Sequence, residues 1–193
     1  LTDHDELLGQ AMGRGPTVTG YFLTEEANNA RPPQHAGVAV SGTPPLGILR
    51  EYNGAIVSLP LIGDRASGAG SVSLDAGRDD IIRAVPLIAN LDGQIVPSLS
   101  LEALRVAQGA GAVLVRSSDG SGEWGGGPVA TVLAVKTGDL QVPTTDVGEL
   151  WMHYTAPHPE RIVPAWRILQ GDLPEAEMRR LFEGQIVFIG TGA

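Results

Sequence analysis

Few residues in this chain combine the types and spacing that chemistry needs. His153 and His158 lie five apart, and His4 sits between Asp3 and Asp5. Such groups could ligate a metal, but His153 falls in a strand-like run and His158 in a proline-flanked loop. That spacing puts no ligand pair on one helix face, so surface or hydrogen-bonded core histidines are the simpler reading and no metal site is assigned. Gly190-Thr191-Gly192 follows an apolar run and has the form of the opening of a dinucleotide loop, whose glycines let backbone N–H groups approach a pyrophosphate. No third glycine, helix or βαβ unit accompanies it, so it reads as a structural turn and no cofactor is assigned. Ser98 stands as Pro97-Ser98-Leu99 without the flanking glycines of a nucleophile elbow, and reads as a helix cap. With no cysteine there is no thiolate nucleophile, thiolate metal site or disulfide. No catalytic set emerges, and a hydrolase is the remotest of the functions considered.

Ligand binding has more to work with. Arg83 alternates with Ile82, Ala84 and Val85 in a strand-like run beside an acidic turn. The simpler reading is a salt bridge to Asp75 or Asp79 that holds a hairpin, and the alternative is ligand binding. Thr144, Thr145 and Asp146 in a second turn, together with Arg161, could form a polar rim at one sheet edge, where open α/β sheets tend to bind ligands. The candidate ligand residues are therefore Arg83, Thr144, Thr145, Asp146 and Arg161.

The elements that must position these residues follow from composition and periodicity. A length of 193 residues with 42% hydrophobic content suits one domain with embellishments and a proper core. Only 5% of residues are aromatic, so the core must be built from Val, Leu, Ile and Ala, the mixture found where helices cover a sheet. An α/β fold is expected, a mixed sheet flanked by helices with several antiparallel hairpins. The 13 Lys and Arg against 22 Asp and Glu give a formal charge of -9, which opposes binding to nucleic acid and to anionic lipid. No apolar run approaches the roughly 20 residues that cross a bilayer, and no signal peptide opens the chain. Its start without methionine and its close just after a strand-like run suggest a piece of a longer protein.

Along the chain, residues 3–12 have helical spacing with Thr2 and Asp3 placed to cap them, and 17–23 read as a strand. Residues 24–45 are rich in Asn, Pro, Gly and Ser and read as an excursion within the domain, interrupted by a brief strand at 38–40. Strands are expected at 55–59, 70–74 and 81–89, the last two forming a hairpin around the polar turn 75–80. A helix follows from Ser98 or Ser100 to Gln108, ended by Gly109 and Gly111, then a strand at 112–116. Residues 117–127, with Trp124, are too polar and glycine-rich to pack and read as a mobile loop. Strands at 129–135 and 140–142 flank the turn 137–139, and another is expected at 149–154. Helices are expected at 164–169 and 174–182, the second with acidic residues early, Arg179 and Arg180 late and Gly184 beyond its end. Residues 185–189 read as a continuous apolar strand.

Four segments in this order resemble the CHASE type-2 family, the cyclase- and histidine-kinase-associated sensory domains of bacterial receptors. Gly70-Ser71-Val72-Ser73-Leu74 leads through the polar turn to Arg83-Ala84-Val85-Pro86-Leu87, similar to the family's Arg-x-x-Pro-Leu strand. Val96-Pro97-Ser98-Leu99 is similar to its Pro-Ser-Leu helix entry. Residues 142–154 resemble its proline-containing strand end, polar turn, glycine and strand closing on tyrosine. Gly184-Gln185-Ile186-Val187-Phe188-Ile189-Gly190-Thr191-Gly192-Ala193 resembles its final Gly-x-Ile-Val-x-Ile-Gly-Thr-x-Ala run. Asp80 stands where the family usually has glycine, and Thr145 where it usually has aspartate. The family's opening strand and helix have no counterpart, so an α/β/α-like sandwich lacking its N-terminal strand is expected.

The resemblance implies a non-catalytic sensory domain outside the cytoplasm, periplasmic or at the cell surface. It would be tethered between membrane helices and coupled to a cytoplasmic cyclase or kinase. A homodimer in the full-length receptor and an unknown small ligand or ion are the expected partners. Signalling would then move the segment 185–193. The rival function is a dimerisation or scaffolding module that takes no small ligand.

Overall fold

The computed structural model describes residues 3–74, 79–118 and 130–191. The chain divides into two units, residues 1–152 and 153–193. In the first, α1 (His4–Met12) starts where the Asp3 carboxylate accepts from the backbone N–H groups of Asp5 and Glu6 at 3.0 and 3.2 Å, satisfying two donors that a helix start leaves without partners. In β1 (Val18–Thr24) the alternation is complete, with Thr19, Tyr21 and Leu23 buried and Gly20 and Phe22 exposed. The excursion expected at 24–45 contains β2 (Gly37–Ser41), followed by β3 (Glu51–Tyr52), β4 (Gly54–Ile56) and the single turn α2 (Pro60–Gly63).

Next come β5 (Gly68–Ser71), β6 (Ala84–Pro86), β7 (Ile88–Leu91), β8 (Gln94–Pro97), α3 (Leu99–Ala107) and β9 (Ala112–Ser117). The unit ends with β10 (Val132–Thr137), β11 (Leu140–Pro143) and β12 (Glu149–Trp151). The class is the expected mixed α/β, with the strands shared among small sheets ordered β4-β1-β5, β11-β10-β9-β2, β12-β6 and β3-β7-β8. Pairing is mixed: β1 runs parallel to β5 and antiparallel to β4, while β9 runs parallel to β2 and antiparallel to β10.

Two expectations need correction. The segments 70–74 and 81–89 do not pair as a hairpin. β5 lies parallel to β1 and continues in a parallel bridge from Ser71 to Ser98, while the second segment divides into β6, paired with β12, and β7, paired with β8. The division falls at Leu87, whose N–H donates to the Gly148 carbonyl and whose carbonyl accepts from the Ser98 N–H, at 3.0 and 2.9 Å. One peptide stretch thus serves two ladders. The tight hairpin of this region is β7–β8, turning through Asp92 and Gly93 with φ of 48° and 82°. Two consecutive left-handed residues are what the twist of a two-residue hairpin requires, and Asp-Gly supplies them; the Asn90 side chain accepts from the Gly93 N–H at 2.8 Å. The expected β10–β11 hairpin forms around Thr137 to Leu140. Most of the loop expected at 117–127, Trp124 included, lies outside the described residues, as do Thr2 and most of the turn 75–80.

The second unit holds a 3-10 turn (Pro159–Arg161), α4 (Ala165–Leu169) and α5 (Glu175–Phe182). Glu175 pairs with Arg179 one turn on at 2.8 Å, and Gly184 takes φ of 71° just beyond the helix. The second correction lies here. Residues 185–189 form no strand, because a strand is defined by its ladder and no described residue pairs with them; Phe188 is 67% and Ile189 95% exposed.

The core of the first unit comes in two clusters. One gathers Tyr21, Leu23, Tyr52, Ala55, Leu91 and Val96, the other Leu49, Ile88, Leu101, Val113, Val132 and Val135. Helix α3 reaches them through the glycines of β5. A Cβ on Gly70 would stand 2.5 Å from Leu99 Cα and 2.6 Å from Leu99 N, so helix and strand touch backbone to backbone. Gly70→Ala should therefore force α3 outward and cost about 1–3 kcal/mol, read as a thermal midpoint several degrees lower. Gly47→Ala, with nothing within 4 Å of the new methyl, should leave the midpoint where it is.

Candidate functional site

Of the five residues singled out from the sequence, the four in the first unit fall at two ends of one short ladder. Arg83 binds Asp79 through two bonds, Nη1 to Oδ1 at 2.9 Å and Nη2 to Oδ2 at 2.7 Å, which is the salt-bridge reading. Thr144, Thr145 and Asp146 share the turn between β11 and β12. There Thr145 donates its N–H to the Glu149 carbonyl at 2.8 Å and accepts the Glu149 N–H on its hydroxyl at 3.1 Å. The Asp146 carbonyl accepts from the Val132 N–H at 2.8 Å, and the Gly148 N–H donates to the Thr145 carbonyl at 2.9 Å. The Thr145 groups thus close the turn, while the Thr144 hydroxyl is buried with no hydrogen-bond partner among the described residues.

Arg83 stands at the other end of the β6–β12 ladder, where its carbonyl accepts from the Met152 N–H at 2.7 Å. Three residues of strand, about 10 Å, separate it from the turn. Arg161 belongs to the second unit, in its 3-10 turn. His158 pairs with Glu160 at 2.8 Å, and among the described residues no group of three or more His, Asp or Glu side chains could hold a metal. Ser98 caps α3, accepting from the Leu101 N–H at 3.4 Å.

The site with chemical character lies elsewhere in the first unit. A cavity of about 510 Å³ opens between the two core clusters. Tyr21 of β1, Ala69 of β5 and Val96 of β8 contribute from one side, and Val38, Val40 and Val113 of β2 and β9 from the other. The loop 32–36 forms part of its rim, held by His35, whose Nε2 meets the Gly63 carbonyl at 3.0 Å. Since a carbonyl only accepts, Nε2 carries the proton there.

Two buried polar residues are among those lining it. Tyr21 is 3% exposed and its hydroxyl has no hydrogen-bond partner among the described residues. Burial, and secondarily the charge of Glu102, push its phenol well above the ordinary tyrosine range. Glu102, on the same wall, is 3% exposed and held by Arg105 in a two-pronged pair, Nε to Oε2 and Nη2 to Oε1, both at 2.8 Å. The rest of the Arg105 fork binds the Ala110 carbonyl through Nη1 at 2.7 Å and the Ser67 carbonyl through Nη2 at 2.8 Å. Gly68 makes room for this, since a Cβ there would lie 2.6 Å from Glu102 Oε1.

None of these residues was among the candidates read from the sequence. Glu102 and Arg105 sit three apart on α3, a spacing that is visible but equally common on solvated helix faces. Tyr21 shows only as one apolar position in an alternating strand.

The buried pair and the unpaired hydroxyl should respond oppositely to substitution. Arg105→Ala leaves a carboxylate in the interior without its partner and should cost about 3–5 kcal/mol, measured by chemical denaturation. Tyr21→Phe removes a buried hydroxyl that bonds nothing, so thermal stability at neutral pH should be unchanged or raised. The raised phenol binds its proton more tightly folded than unfolded. Its contribution is therefore complete below about pH 10 and is lost as pH climbs beyond that value. Denaturation curves of Tyr21→Phe should show a flatter alkaline limb than those of the parent.

No curated protein and no solved structure matches the chain. Residues 2–193 match the CHASE2 domain. The match takes in both units and essentially the whole length, so the chain belongs to the CHASE2 family of extracellular sensory domains of signalling receptors.

Proposed function

We propose that this chain is the extracytoplasmic, non-catalytic input module of a bacterial transmembrane receptor with a cyclase or kinase output, and that its stimulus is a small molecule bound in the Tyr21–Glu102 cavity. The observation that carries the reading is the cavity itself. Its size falls within the range of small-molecule sites, and a few polar groups stand among mostly apolar walls. Because the walls come from both core clusters, occupancy would bias how the sheets carrying them pack. The change would leave through the exposed segment 185–191 toward a following membrane helix and, in a paired receptor, toward the other chain.

The test is a screen of small metabolites for a rise in the thermal midpoint, followed by output assays of the full-length receptor. A ligand at a hundred times its Kd should stabilise the parent by about 2.7 kcal/mol. Val40→Phe, which fills part of the cavity, should remove both the stabilisation and the ligand-dependent output. Output that responds to the same ligand undiminished in Val40→Phe would sink the reading.

A dimerisation module that takes no small ligand is the second reading. It is favoured by Phe22 and Ile56, cross-strand neighbours on β1 and β4 that are both exposed. Under that reading Phe22→Ser with Ile56→Ser would abolish a dimer seen by sedimentation, and no metabolite would shift the midpoint.

A further inference from the structure

The strand edges of the first unit differ in how well they are protected. Among the described residues β4, β6 and β12 are three residues long and β3 two, too short to template a neighbour. β8 and β11 have four residues each and end in proline, which removes a ladder donor. β5 is buried along its whole length. β2 is the exception. It closes one side of the sheet β11-β10-β9-β2, runs five residues in unbroken parallel register with β9, and contains no charge, proline or bulge. Those are the devices by which edges resist pairing. Gly37, Ala39 and Ser41 are exposed, and nothing lies within 4 Å of a Cβ placed on Gly37. Among the described residues the backbone of β2 bonds to β9 alone.

The strand's own residues say which neighbour suits it. Val38-Ala39-Val40 reads the same in both directions, so an antiparallel copy centred on Ala39 sets Val38 against the partner's Val40, Val40 against the partner's Val38 and Ala39 against itself. Cross-strand pairs of β-branched residues are favourable, and like charges directly opposite are not. In a chain of formal charge -9, an uncharged edge is where two copies can meet without opposing carboxylates. A two-fold axis through Ala39 makes the contact isologous, so it closes after two copies. We propose that β2 pairs antiparallel with β2 of a second copy, joining two four-stranded sheets into one of eight strands. The pairing needs no ligand, so it stands apart from the cavity reading, and it uses a different surface from Phe22 and Ile56. Five residue pairs make a small joint beside a standard interface. The isolated domain should therefore dimerise weakly, and chains tethered side by side far more fully.

The absence of cysteine makes the register testable. Directly opposed residues lie about 5 Å apart, whereas residue 37 and its copy would stand about 13 Å apart along the strands. Under mild oxidation Ala39→Cys should crosslink to itself at least about tenfold faster than Gly37→Cys does, and Gly37→Cys should crosslink to Ser41→Cys instead. In sedimentation equilibrium at about 0.3 M salt, which screens the charge of each copy, the parent should show a dimer fraction that rises with concentration. Ala39→Lys opposes two ammonium groups at an exposed position and should weaken that dimer at least about tenfold, with the thermal midpoint of the dilute protein unchanged. A parent that stays monomeric at about 1 mM, a dimer as tight in Ala39→Lys as in the parent, or Gly37→Cys that crosslinks to itself as fast as Ala39→Cys would each overturn the pairing. If Phe22→Ser with Ile56→Ser abolishes the dimer while Ala39→Lys keeps it, the copies meet through the other face, and the pairing falls while the dimerisation reading stands.

Discussion

A buried guanidinium–carboxylate pair fixes much of the first unit's geometry. Glu102 and Arg105 have been taken out of water together on one face of α3, and such a pair is tolerable only when its remaining donors are also satisfied. Arg105 achieves this by reaching the carbonyl of Ser67, at the entry to β5, and that of Ala110, at the approach to β9. One side chain thus ties a helix to the starts of two strands that belong to different sheets. The demand propagates to Gly68, where no side chain fits beside the carboxylate, and to Gly70, where helix and strand backbones meet.

The same tie explains why a cavity can exist. Apolar residues left to themselves close over space, since each unfilled volume forfeits dispersion contacts. Here the β7–β8 hairpin contributes to both clusters and α3 adds Leu101 to one of them. That hairpin sends Ile88 into one cluster and Ala89, Leu91 and Val96 into the other.

How much of this could be read in advance depended on whether the signal was local. Capping by Asp3 and Ser98, the turn around Gly138 and the helix expected at 174–182, observed as Glu175–Phe182 with Gly184 beyond it, are decided within four or five residues. The alternation of β1 was equally plain. What could not be read was partnership. Residues 70–74 and 81–89 carry strand signals of the right kind, yet a signal for extended backbone does not say which strand lies beside it, and the polar turn between them invited the wrong pairing. The Asp92-Gly93 turn is the stronger hairpin signal, but it follows so closely on a long apolar run that the run masks it. The cavity failed to show for a related reason. Its walls come from positions as distant as Tyr21 and Val113, and nothing in the spacing of Glu102 and Arg105 distinguishes a buried pair from a solvated one. Arg83 was legible because Asp79 is four residues away.

The run Ile186-Val187-Phe188-Ile189 is uncharged, proline-free and rich in β-formers, and among the described residues no strand pairs with its backbone. Such a stretch is a template for stacking against its own copies. The chain carries its own counterweight in a formal charge of -9, since molecules that repel one another seldom bring these edges together. That repulsion works only over a Debye length, about 10 Å at 0.1 M salt. The colloidal lifetime of the isolated domain is therefore set by ionic strength, and added salt, a usual aid to handling acidic proteins, removes the barrier that keeps it dispersed.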